Sequence, residues 1–155
     1  MFCFLDLILF LAPLLLTWGF SPSRTRMVKL YESLPLPKYT PPKWIYAPAW
    51  FFFDLVLGWT AVKIYHLDAE LPLRQMLLAW FAVHLFLEIV WSAVFVRKLF
   101  LWTSLLSLGL WATGASIVCM LSATTSCPLT TFLLALYFVW LTLALLTTLA
   151  FTFRV

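Results

Sequence analysis

Long apolar runs broken by short polar clusters set the pattern of this chain. A helix needs about 20 apolar residues to cross the hydrocarbon of a bilayer. Five runs meet that length: about Phe2 to Phe20, Trp44 to Tyr65, Leu73 to Val96, Leu99 to Leu121 and Leu129 to Phe153. The pattern predicts an all-α integral membrane protein, one domain over residues 1–155, built as a five-helix bundle. A cleaved leader is the competing reading of the first run. No basic residue precedes that run and no small-x-small site follows it, which favours a retained helix.

The connections differ sharply. Residues 21–43 form the longest, polar and proline-bearing, closing on Pro41, Pro42, Lys43 and Trp44. Paired prolines fix φ and remove two backbone donors, so they bring the chain stiffly to the membrane. Lys43 and Trp44 then suit the water–lipid boundary. The other connections are short turns around Asp68, Glu70 and Pro72, at Arg97 and Lys98, and from Ser122 to Pro128.

Charge changes the picture by giving a direction. The long loop carries Arg24, Arg26, Lys29, Lys38 and Lys43 against Glu32 alone, and Arg97, Lys98 and Arg154 fall on the same side. The positive-inside rule places that side and the C-terminus in the cytoplasm, with the N-terminus outside. Composition agrees with a membrane setting: 65% of residues are apolar, 10% are charged, and mean hydropathy is +1.03. Soluble domains carry about 25% charged residues. The net charge of +4 lies between apolar segments and reads as topology, so no nucleic-acid partner is expected. Cys3, Cys119 and Cys127 have no metal-ligand spacing, so neither a disulfide framework nor a metal site is expected.

Candidate chemistry is concentrated within the spans. Charged groups in the membrane are expensive and usually face the bundle interior. Asp54 lies in the second run, and His84 and Glu88 lie four residues apart on one face of the third. Trp80 and Trp91 extend that stripe, while Ala47, Trp50, Asp54, Gly58 and Ala61 form another on the second run. Two readings stay open. The three groups can satisfy one another as buried polar glue, or they can line an aromatic cavity for a flat ligand with a polar edge.

Pro37, Pro41, Pro42, Trp44, Pro48 and Trp50, followed by Gly58, give the chain a resemblance to the TspO/translocator protein family. Tyr137 and Trp140 sit like that family's Y-x-x-W. The resemblance implies a helix bundle, often a homodimer, with a ligand pocket capped by the first loop. It also implies porphyrin, cholesterol or steroid ligands. Protoporphyrin IX or a sterol is then the expected ligand, with no cofactor required, and roles in transport, sensing or turnover. Porphyrin degradation has been proposed for some members. Carried over by position, the pocket indoles fall on Trp50 and Trp140, with Trp91 nearby, and Tyr39 stands at the loop's Trp position. Asp54, His84 and Glu88 replace a Tyr, a Gln and an Asn, and Ser92 and Leu136 replace prolines. The expected ligand-binding set is therefore Tyr39, Trp50, Asp54, His84, Glu88, Trp91 and Trp140. The H-x-x-x-E pattern also resembles the sterol-isomerase and sigma-2 receptor group. That alternative is an enzyme in which Glu88 or Asp54 donates a proton and His84 relays it. The family occurs in bacterial membranes, the mitochondrial outer membrane and other organelles, so the expectation is an integral multi-pass protein.

Overall fold

The computed structural model describes residues 3–34, 36–68, 70–124 and 127–154. Phe2, at the start of the first apolar run, and Thr125 and Ser126, in the last turn, lie outside them. Six helices and no strand occur among the described residues: α1 (Phe4–Phe20), α2 (Arg24–Ser33), α3 (Lys43–Tyr65), α4 (Leu71–Phe95), α5 (Phe100–Thr124) and α6 (Pro128–Arg154). Four of them contain stretches long and apolar enough to cross a membrane: Lys43–Tyr65, Pro72–Phe95, Phe100–Thr124 and Pro128–Phe153. α1, at 17 residues, is shorter. Together with α2, bent from it by 67°, it makes a fifth candidate. With apolar side chains directed both inward and outward, the molecule leaves Phe86, Leu101, Phe132 and Val139 exposed on its flanks. That is the surface expected of a multi-pass membrane protein.

α2 was not expected; the sequence reads as loop there. Its helix follows from Met27, Leu30, Tyr31 and Leu34, an i, i+3, i+4, i+7 stripe inside the basic segment. Leu30 is buried, and Tyr31 packs on Tyr46 of α3 at 4.8 Å and on Phe95 of α4 at 5.4 Å. The charged face remains outside, where Lys43 pairs with Glu32.

α1 runs antiparallel to α3. His66 just past α3 meets Asp6 near the start of α1 at 2.6 Å, and Thr17 and Trp18 near its end meet Asp54. Between them the two backbones touch at Gly58. A Cβ there would sit 1.9 Å from the Phe10 carbonyl oxygen, so only glycine permits this crossing. The register has a consequence. Asp54 is eleven residues into α3, whereas Thr17 is three from the end of α1. α1 therefore stops short, and the first two turns of α3 lack it as a neighbour. The chain crosses that gap through Ser21–Ser23 and α2.

α4, α5 and α6 form the other half of the bundle, with α5 packed extensively on both α4 and α6. Gly109 lets Leu87 of α4 approach, and Gly114 does the same for Leu141 of α6. Hydroxyls bridge the helices: Ser104 meets Thr152 at 2.7 Å, and Thr148 donates to Ser107 at 3.1 Å.

Candidate functional site

The gap above α1 is a cavity of about 630 Å³. Ligand pockets usually enclose about 300–1,000 Å³. Ser21 to Ser23, Met27, Val28 and Tyr31 roof it, and Lys43, Trp44, Tyr46 and Ala47 border its outer part. Trp50 and Trp91 form its walls, and Thr17, Trp18, Asp54, Glu88, Ser92 and Leu110 complete its lining. Thus α1, α2, α3, α4 and α5 all contribute.

Packing against the rest of the bundle orients the indoles. Trp91 donates its Nε1 hydrogen to Ser107 Oγ at 2.7 Å and stacks on Phe95 at 5.0 Å, with the planes 9° apart. Trp50 faces Trp91 at 6.4 Å, while Trp140 supports it edge-on from α6 at 6.0 Å. Aromatic pairs of this kind add about 0.5–1.5 kcal/mol each beyond their buried area. The walls are therefore in place before any ligand arrives.

Two carboxyl groups face this space. Asp54 is 1% exposed and Glu88 is 7% exposed. Oδ2 of Asp54 accepts from Trp18 Nε1 at 2.7 Å and from Thr17 Oγ1 at 3.0 Å. Its Oδ1, like Oε2 of Glu88, has no hydrogen-bond partner among the described residues. The two groups are near enough to interact electrostatically.

Of the seven residues expected at the site, Trp50, Asp54, Glu88 and Trp91 border the cavity, and Trp140 backs Trp50. His84 lies elsewhere. Its Nδ1 is 2.7 Å from Thr113 Oγ1 on α5, and its Nε2 is 2.7 Å from the Tyr137 hydroxyl on α6. Thr113 directs its own hydrogen to the carbonyl of Gly109 or Leu110, so it accepts from Nδ1–H while Tyr137 donates to Nε2. A neutral ring completes that network. Sharing a helical face thus did not bring His84 to Glu88's surroundings: one turn away, α5 and α6 close over the face. Trp80, on the same predicted stripe, is substantially exposed. Tyr39 is exposed too, and its hydroxyl donates to the Leu146 carbonyl at 3.0 Å.

Sequence reasoning missed Thr17 and Trp18, the partners of Asp54; the resemblance implied a cap from the first loop, but not that this cap is a helix or which of its residues face the cavity. Nothing in helical periodicity names the helix that a polar residue faces. The stripe from Met27 to Leu34 was the available signal for the roof.

The chain matches the TspO/MBR family over residues 7–154, nearly its whole length. It belongs to that family. Within curated proteins it is similar to Protein CrtK of Rhodobacter capsulatus, at 29% identity over 65 residues. That alignment spans 42% of this chain and 41% of the relative. Membership of the TspO/MBR family supports a ligand-binding or sensing role in a membrane, and the aromatic cavity is where this chain offers room for one. Among the described residues, no group of three or more His, Cys, Asp or Glu side chains is arranged to hold a metal ion.

Proposed function

We propose that this TspO/MBR family protein is a five-span membrane receptor for a flat hydrophobic ligand of the porphyrin or sterol class, acting in its transport, sensing or turnover. The observation that carries this reading is the cavity of about 630 Å³, walled by Trp50 and Trp91 and bordered by Trp18 and Trp44. Its volume and aromatic lining suit a rigid apolar body. α1 is the fifth span in this reading. Its 17 residues reach about 25 Å at 1.5 Å per residue, close to the hydrocarbon thickness. α2 then lies across the interface as the roof, on the cytoplasmic side by its basic charge.

The enzymatic alternative has less support. A proton relay from Glu88 or Asp54 through His84 needs the imidazole at the ligand, and both its ring nitrogens are engaged by Thr113 and Tyr137.

Titrating the purified protein with protoporphyrin IX, and separately with cholesterol, tests the proposal through tryptophan fluorescence. Saturable quenching or a saturable shift with at least one of them is expected. Unchanged fluorescence with both would overturn it.

A further inference from the structure

The two carboxyl groups at the inner end of the cavity have a chemistry that a purely apolar ligand would leave unused. Burying an ionised carboxylate without a partner is prohibitively costly, so such groups carry a compensating hydrogen bond, proton or cation. For Asp54, Thr17 and Trp18 occupy Oδ2 only. Oδ1 of Asp54 and Oε2 of Glu88 are buried without a partner among the described residues. No basic side chain there forms an ion pair with either group. Lys43, the cation at the rim, is paired with Glu32 instead. The indoles of Trp18, Trp50 and Trp91 border the same space, and ring faces attract cations as carboxylates do.

We infer that the cavity accepts a ligand bearing a protonated amine, its ammonium held between Asp54 and Glu88 and its flat apolar body between Trp50 and Trp91. This goes beyond the receptor reading above, to a cationic ligand class, and rests on its cavity being a ligand site. The geometry also sets the ligand's shape. Asp54 lies eleven residues beyond Lys43 on α3, or about 16 Å below the rim at 1.5 Å per residue. Trp50 is one turn above Asp54, about 6 Å. The ammonium must therefore sit innermost, on a short arm about one helical turn below the aromatic or alicyclic body.

The test compares a matched pair of probes on the full-length protein in a non-ionic detergent. N,N-dimethyl-1-naphthylmethylamine is protonated at neutral pH, and 1-isobutylnaphthalene is its uncharged carbon isostere. Calorimetric titration is expected to give the amine at least about tenfold higher affinity, the scale of a charge-assisted hydrogen bond. In D54N and E88Q that preference should shrink to below about threefold. Equal affinity of the two probes for the wild-type protein overturns the inference, whether or not the variants fold. A preference that both variants retain also overturns it, because the cation then sits elsewhere. If the probes bind equally while protoporphyrin IX or cholesterol still binds saturably, the receptor reading stands without the ammonium site. If porphyrin, sterol and both naphthalenes all fail to bind, the receptor reading falls and the inference with it.

Discussion

One helical turn separates Glu88, at the edge of the cavity, from His84, whose ring nitrogens are held by Thr113 and Tyr137. Their i, i+4 spacing made them look like partners. The structure instead puts His84 among three helices as a fully buried bridge. Removing it should therefore act on stability. His84→Ala takes the hydrogen bond from the Tyr137 hydroxyl, while Thr113 keeps its backbone acceptors. With the void left behind, a loss of about 2–4 kcal/mol is expected. Thermal melting in detergent would register it. Ligand affinity of the folded fraction should change by no more than about threefold, whereas a tenfold loss would return the imidazole to the ligand's path. The same scale explains what remained illegible. Asp54 was recognisable as a costly buried group, but its partners, Thr17 and Trp18, lie 37 and 36 residues away. Only the packing of α1 on α3 makes them neighbours.

At the scale of elements, the crossing of α1 and α3 decides where the cavity forms. Gly58 has no room for a methyl group against the Phe10 carbonyl, and backbone cannot yield as a side chain can. Gly58→Ala should push α1 away, with an overpacking cost of about 1–3 kcal/mol. The predicted sign is a lower melting temperature together with weaker ligand binding, since the same displacement carries Thr17 and Trp18 from Asp54. An unchanged melting temperature would mean that the helices do not meet there. α3 to α6 were legible as runs because hydropathy alone reports a span of that length. α2 was not, because a ten-residue amphipathic helix offers only one stripe amid prolines and charges. The roof of the site was thus the element that hydropathy hid best.

For the whole molecule, charge and cavity point in one direction. The long basic segment, the rim and the roof share one end of the bundle, while Cys3 lies at the other. The proposed topology gives a direct expectation. On sealed cells or right-side-out vesicles, with Cys119 and Cys127 replaced by Ser, a membrane-impermeant maleimide should label Cys3 from outside. A cysteine introduced in the long loop by Lys38→Cys, with Cys3, Cys119 and Cys127 replaced by Ser, should be labelled only after permeabilisation. The reverse pattern would invert the orientation and put the cavity's mouth outside.

The central claim is that a flat ligand occupies the space between α3 and α4 beneath α2. Ala47 borders that space one turn above Trp50 on the α3 scale, so Ala47→Trp would fill its outer part. Protoporphyrin IX titrated by tryptophan quenching against wild-type and Ala47→Trp protein tests the claim most directly. Saturable quenching in the wild type, weakened at least about tenfold in the variant, is the result the account predicts. Saturable quenching of equal strength in both proteins would contradict it.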